Sequence, residues 1–192
     1  MRLYHLTALA VSAAAFPQQY PGIGPRRQDF TLLMSLGAGE TRTNLSLTAV
    51  KNGTSEVLLL AGADPATCVG TPAYLNASLS DFEDSDGEYG ALQLDVDGQA
   101  YGVGIPPIGD MHGIAYSVTA DKDYSEFQFR VIDGQVFHKP SSGASEFLVC
   151  NKNINGEVKP VLSWGSTPYA EGCSSSSVLQ RCNIEGSGAS CH

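Results

Sequence analysis

Short segments with alternating apolar and polar residues run along most of the chain. Residues 44–50, Asn-Leu-Ser-Leu-Thr-Ala-Val, have the two-residue period of a half-buried β-strand. Similar segments predict strands at 29–36, 56–60, 92–96, 99–103, 127–132, 135–138 and 157–162. No segment carries a sustained 3.6-residue apolar stripe with caps at its ends. The pattern therefore predicts an all-β protein.

Four turn signals separate these segments. They are the dipeptides Asn52-Gly53, Asp97-Gly98, Asp133-Gly134 and Asn155-Gly156. Tight hairpin turns favour such pairs because their central residues need positive φ. Pro160 lacks an amide hydrogen, so its strand is expected at a sheet edge or at a bulge. We expect a single-domain antiparallel β-sandwich of the jelly-roll or lectin-like type, spanning residues 28–183.

The N-terminus has the pattern of a cleavable export signal. Arg2 precedes a short apolar stretch at 3–11, and Ala13 and Ala15 form the small-x-small pattern that predicts cleavage before Phe16. Residues 1–15 are thus the signal peptide, and residues 16–27 are a Pro/Gly-rich leader. Arg26-Arg27 is either a dibasic processing site or an ordinary surface pair. We expect a secreted chain with no membrane association after cleavage.

Composition and charge narrow the classes of partner. The 192 residues are enough for one domain, and 42% hydrophobic with 16% charged residues is a globular composition. With 20 acidic and 11 basic residues the net charge is −9, which repels phosphate backbones. Nucleic acid is therefore not an expected partner.

Three sequons fit the secretory route. Asn44-Leu45-Ser46, Asn52-Gly53-Thr54 and Asn76-Ala77-Ser78 predict N-glycosylation at Asn44, Asn52 and Asn76.

The cysteine count is odd, with Cys68, Cys150, Cys173, Cys182 and Cys191 all beyond the signal peptide. An oxidising compartment predicts two disulfides and one thiol, and the sequence leaves about fifteen such arrangements open. The extra thiol either pairs with a second molecule or wall component, or is a buried free cysteine. The serine run 174–177 and the Gly/Ser-rich tail 184–192 are expected to form a loop and a tail that Cys182 and Cys191 tie down.

The search for reactive motifs predicts neither a catalytic residue nor a cofactor or metal. The acidic stretch 81–88 resembles the middle of an EF-hand, but Phe82 and Gln93 occupy its first and twelfth ligand positions. The serine-hydrolase, zincin, phosphate-loop and dinucleotide signatures are absent from the sequence. An enzyme is the third-ranked function, after a structural protein and a carbohydrate-binding module.

Carbohydrate binding is the more specific alternative to a structural role, because aromatic faces stack on sugar rings. Trp164 is the first candidate for such stacking. Further candidate rings are Tyr74, Tyr89, Tyr101, Tyr116, Tyr124 and Tyr169. The competing interpretation is that these rings are half-buried cross-strand partners.

Six short blocks between residues 28 and 183 resemble a known family. They are 30–32, 91–96, 129–137, 147–150, 161–165 and 172–173, of which Phe147-Leu148-Val149-Cys150 and Gly172-Cys173 are the most specific. Their order is similar to that of the small secreted fungal cell-wall proteins that include PhiA and IgE-binding-protein-like relatives.

The resemblance implies a protein of the fungal cell wall or secreted matrix, associated in the family with spore-bearing cells and without known catalysis. It also implies a Cys150–Cys173 disulfide joining two late strands. The serine run, the Cys182 to Cys191 tail and Cys68 depart from the family pattern, so a complete bridge pattern does not carry over. We therefore expect a secreted, non-enzymatic structural or surface protein whose partners are wall polysaccharide or other wall proteins.

Overall fold

The computed structural model describes residues 23–26, 30–37, 42–53, 56–78, 89–105, 113–124, 128–139, 145–166 and 170–182. The predicted signal peptide, the acidic stretch 81–88 and the tail 184–192 lie outside these residues. Regular structure in the described part of the chain consists of strands alone. The prediction of an all-β protein is confirmed.

Fourteen strands are formed by the described residues. They are β1 Ile23–Arg26, β2 Phe30–Leu36, β3 Thr43–Asn52, β4 Glu56–Ala63, β5 Pro72–Ser78, β6 Gly90–Val96, β7 Gln99–Gly104, β8 Ala115–Ser117, β9 Thr119–Asp121, β10 Phe129–Ile132, β11 Gln135–His138, β12 Ser145–Ile154, β13 Glu157–Ser166 and β14 Cys173–Arg181. The strand β1 comes from the end of the predicted leader and pairs with β5. Proteolysis at Arg26-Arg27 would therefore cut the chain between β1, which pairs with β5, and the following strand β2.

All fourteen strands join one antiparallel sheet, in the order β1-β5-β2-β3-β4-β9-β7-β6-β10-β11-β14-β12-β13-β8. Three further pairings, β5–β6, β2–β14 and β4–β13, connect strands that are distant in this order. Strand β4, for example, pairs with β9 at Val57 and with β13 at Leu60. Strand β4 therefore changes neighbours along its length.

All four predicted turns connect neighbouring antiparallel strands. The pairs β6–β7, β10–β11 and β12–β13 meet across two-residue turns in which Asp97, Asp133 and Asn155 have φ of 56°, 49° and 54°. Aspartate and asparagine tolerate this left-handed region better than most residues. The first turn differs, because Asn52 itself pairs with Glu56 and three residues separate the two.

Pro160 lies where β13 has one described neighbour. It pairs with Asn151 of β12, and the ladders of β13 with β4 and β8 begin at Val161 and Ser163. Its missing donor is thereby accommodated, as the sequence predicts for an edge position.

The serine run 174–177 corrects the sequence interpretation, since it is part of strand β14 and not of a loop. This strand pairs with β2 over six positions and also with β11 and β12. Ser174 and Ser175 are exposed while Ser176 and Val178 are buried, so the inward-facing positions of this strand begin within the serine run. Small hydroxyl side chains fit an interior strand when their backbone groups are paired on both sides.

The inward-facing side chains of these strands form the apolar core. Its largest fully buried side chains are Phe30, Phe129, Leu32, Met34, Leu47, Leu59, Leu94, Leu148 and Leu162. The described residues contain no helix with the length and apolarity needed to cross a lipid bilayer.

Candidate functional site

The hairpin of β10 and β11 has two chemically different faces. Its register places Phe129 opposite His138 and Arg130 opposite Phe137. Side chains alternate along a strand, so Phe129, Val131, Val136 and His138 point towards the core. The other positions point outwards, which agrees with the burial pattern of both strands.

We call the outward side the hairpin face. It consists of Gln128, Arg130, Ile132, Gln135, Phe137 and Lys139, together with Tyr89, which directly precedes the Gly90–Phe129 pair of β6 and β10. Ile132 and Phe137 are 42% and 36% exposed. These two side chains add exposed apolar surface to the hairpin face.

Two cations lie near the Tyr89 ring of the hairpin face. The Arg130 Cζ is 5.0 Å and the Lys139 Nζ is 5.2 Å from the ring centroid. A cation at this distance from an aromatic ring near the surface gains about 0.5–1 kcal/mol. Tyr89 therefore stabilises two positive charges on a strongly acidic chain.

These groups favour binding over reaction. Cations, amides and aromatic rings recognise ligands by charge, hydrogen bonding and stacking. The seven residues of the hairpin face include neither a carboxylate nor the pairing of a nucleophile with a base that covalent catalysis requires. The arrangement fits a recognition surface.

The inner side of the same hairpin carries an aromatic cluster. The His138 imidazole lies 5.0 Å from the Phe129 ring and 5.0 Å from the Trp164 indole, measured between centroids. The Phe147 ring lies edge-on to the Trp164 indole, with 4.9 Å between centroids. Edge-to-face contacts of this kind stabilise buried rings beyond the area that they bury.

His138 is electrostatically unusual within this cluster. Neither of its ring nitrogens has a hydrogen-bond partner in the described part of the chain, and both are buried. Burial lowers the pKa of His138 from its ordinary value of 6.5 to about 4. The imidazole is consequently neutral near pH 7 and acts there as a packing group.

The cluster corrects the expectation for Trp164. Its indole is only 6% exposed, and its edge-to-face neighbours are His138 and Phe147. A sugar ring needs an open aromatic face, so the buried indole is unsuited to stacking. Trp164 behaves as the cross-strand partner of Phe147, which was the competing interpretation.

The tyrosines divide between the core and the surface. Tyr74 and Tyr101 are buried, Tyr89 and Tyr116 are half-buried, and Tyr124 is exposed. Tyr124 packs on the backbone of β7, where Cβ atoms added at Gly102 or Gly104 would collide with it. Tyr169 lies outside the described residues.

The predicted Cys150–Cys173 disulfide is present and joins neighbouring positions of β12 and β14. Cys182 is also disulfide-bonded, with a partner outside the described residues, where Cys191 lies. Cys68 is a half-buried free thiol. Its carbonyl accepts a hydrogen bond from Ser46 Oγ at 2.5 Å, so its segment is fastened to β3.

The three sequons differ in their surroundings. Asn44 is exposed on β3, whereas Asn52 and Asn76 are half-buried. The Asn52 amide donates a hydrogen bond of 3.2 Å to a Glu56 carboxylate oxygen across the first hairpin. Asn76 lies in β5 between the ladders to β1 and β6. Asn44 is therefore the most accessible of the three.

Metal ligation and sequence relatives add no further assignment. The described residues contain no group of three or more His, Cys, Asp or Glu side chains placed to hold a metal ion. Comparison of the chain with protein families, with curated proteins and with solved structures finds no match in any of the three.

The sequence alone does not predict the hairpin face, although the alternation that forms most of it is visible in the sequence. Residues 128–139 alternate between core and surface positions, and Arg130, Phe137 and Lys139 all fall on the outward phase. Tyr89 is absent from the hairpin itself, and its approach to the two cations depends on the pairing of β6 with β10. That pairing joins segments about forty residues apart, which alternation does not specify.

Proposed function

We propose that this chain is a secreted, non-enzymatic structural or surface protein of a fungal cell wall or extracellular matrix. The observation that carries the proposal is the Cys150–Cys173 disulfide between two sheet strands, with Cys182 in a second bridge. Disulfides of this kind persist in oxidising compartments and are rare in the cytosol. The export signal pattern at 1–15 and the resemblance to secreted wall proteins support the same compartment.

The proposed architecture is a sandwich in which the single sheet folds over itself. The support for it is the change of partners along β2, β4 and β6, each of which pairs with three or more strands. Such strands form the corners between two packed layers. Wall polysaccharide and other wall proteins are the partners that we propose for the outer surfaces.

Intact-mass measurement of the exported protein, combined with wall fractionation, tests this proposal. We expect a chain beginning at Phe16, a mass gain of four hydrogens on reduction of two disulfides, and retention in the wall fraction. An unprocessed chain with five reduced thiols that remains inside the cell would overturn the secretory role. Full recovery in the medium, with none in wall or matrix, would overturn the wall role.

A second candidate function is carbohydrate binding, which the hairpin face favours. Phe137 and Ile132 offer exposed apolar surface beside two amides, Gln128 and Gln135. Sugar sites combine an aromatic ring with hydrogen-bonding side chains in this way. A panel of immobilised wall polysaccharides tests the idea: we expect retention of the native chain and weaker retention of Phe137→Ala.

A further inference from the structure

Two of the four hairpin turns contain an Asn-Gly peptide bond, which is chemically labile. They are Asn52-Gly53, after β3, and Asn155-Gly156, between β12 and β13. Asparagine is one of the thermolabile residues, and a glycine that follows it carries no side chain to hinder attack by its own backbone nitrogen on the asparagine carboxamide. These two turns are therefore the places where spontaneous deamidation has to be considered.

Deamidation of Asn155 uses the Gly156 backbone nitrogen as its nucleophile. That nitrogen gives its proton to a base in the solvent and forms a bond to the Asn155 Cγ, while the side-chain nitrogen takes up a proton and leaves as ammonia. Water then hydrolyses one of the two carbonyls of the resulting cyclic imide, which gives aspartate or isoaspartate. Water is the only other reactant consumed. A group that holds the Gly156 N–H in a hydrogen bond therefore slows the first step, because the reacting anion cannot make that bond.

Asn153 is such a group. The Gly156 backbone N–H donates a hydrogen bond of 2.8 Å to Asn153 Oδ1, a distance typical of a well-formed bond. Asn153 pairs with Val158 in the β12–β13 ladder, so its backbone is fixed just before the turn. Asparagine side chains often bind backbone groups a few residues away in this manner. At this turn the structure therefore restrains the nucleophile.

At the other Asn-Gly turn the structure restrains the electrophile instead. The Asn52 carboxamide donates a hydrogen bond of 3.2 Å to Glu56 Oε2, and the same two residues pair in the β3–β4 ladder. Reaction at Asn52 therefore requires the side-chain bond to break in a residue that the ladder also holds. Asn155 is exposed and lies beyond the last ladder pair, so only the bond between Gly156 and Asn153 has to break. Local openings that break fewer contacts occur more often.

We propose that Asn155 is the primary deamidation site of this chain and that Asn153 is the residue that protects it. The reaction places a carboxylate at the tip of the hairpin, directly before Glu157. Isoaspartate also lengthens the backbone of a two-residue turn in which residue 155 has φ of 54°. A turn of this type depends on its exact length, so the end of the β12–β13 ladder loosens when the product forms. The inference does not depend on the functions proposed above.

Incubation of the folded protein in mildly alkaline buffer, followed by peptide mass spectrometry, measures both sites. The Asn52 peptide is counted where it carries no glycan, since a glycan on the carboxamide nitrogen blocks the reaction. We expect conversion of Asn155 to precede that of Asn52. The rate at Asn155 should rise with pH, because the attacking species is the deprotonated amide of Gly156.

Three variants test the role of Asn153. Asn153→Ala removes the acceptor and should convert Asn155 about fivefold faster, the factor expected for the loss of one hydrogen bond. Asn153→Asp keeps an acceptor oxygen and should react at close to the native rate. The matched control is Asn151→Ala, which removes another exposed asparagine of β12 that lies further from the turn. Its rate should equal that of the native chain.

Each contrary result overturns a distinct claim. Faster conversion of Asn52 than of Asn155 would overturn the choice of the primary site. Equal rates in native protein and Asn153→Ala, or equal rates in Asn153→Ala and Asn153→Asp, would overturn the protecting role. Circular dichroism confirms that each variant is folded. In urea that unfolds the chain, native protein and Asn153→Ala should react equally at Asn155; a difference there would assign the effect to the local sequence and overturn the role of the hydrogen bond.

Discussion

Acidification is expected to destabilise the folded protein through His138. Burial among Phe129 and Trp164 lowers the pKa of this imidazole from 6.5 to about 4. His138 in the unfolded chain takes up a proton near pH 6.5, whereas in the folded chain it does so only near pH 4. The stability associated with neutral His138 is therefore complete above pH 6.5 and is lost as the pH falls towards 4.

The magnitude follows from the width of that window. Within it the free energy of unfolding decreases by about 1.4 kcal/mol per pH unit, so the full loss is about 3 kcal/mol. This is a large part of the total stability of a typical domain. The effect should concentrate in the β10–β11 hairpin, whose ladders to the other described strands are one pair with β6 and two pairs with β14.

Urea unfolding at several pH values from 7.5 to 4, followed by the fluorescence of the single tryptophan, measures the loss. In His138→Phe the ring remains but the titration disappears, so its stability should be about 3 kcal/mol less sensitive to this pH range. Removal of two buried unpartnered nitrogens should leave its stability at pH 7 equal or higher. The reasoning would be refuted if the free energies of unfolding of the native and variant proteins fell in parallel from pH 7.5 to 4. His138→Leu provides a second replacement that cannot titrate.

Three further predictions concern the scaffold. Replacing both Cys150 and Cys173 by alanine should lower the free energy of unfolding in urea by about 3 kcal/mol for a 23-residue separation, against less than about 1 kcal/mol for Cys68→Ala; equal losses would contradict this. Gly102→Ala should lower the free energy of unfolding by about 2 kcal/mol or more, because the added Cβ collides with the Tyr124 carbonyl. Gly62→Ala, which has open space around it, should leave the free energy of unfolding nearly unchanged. Asn44→Gln should remove the mass of one N-glycan from the exported protein, and an unchanged glycoprotein mass would count against that site.

The strand pattern was predictable wherever alternation and turn chemistry agree. The Asp133-Gly134 dipeptide predicts the β10–β11 hairpin, and the structure places both residues at positive φ. Short strands without such punctuation were missed, as in β8 and β9, which have three residues each. Three residues are too few to show a period, and their extended form depends on β13 and β7.

The burial of Trp164 was not predictable from the sequence. A lone tryptophan in a strand is equally consistent with an open sugar platform and with a buried core ring. What decides between them is the position of His138 and Phe147, one on a hairpin about 26 residues upstream and the other across a ladder. These are tertiary contacts, and the local pattern around residues 161–165 contains no trace of them.

The buried His138 imidazole and the outward-facing Arg130 and Phe137 alternate on the same two strands. Phe129 and His138 point inwards as a pair, and Arg130 and Phe137 point outwards as the next pair. The inner pair packs the hairpin against Trp164. Protonation of His138 is therefore expected to weaken the packing of the hairpin, although His138 is not part of the hairpin face. The two-residue period of the β-strand therefore links the acid sensitivity of the core to the stability of the hairpin face.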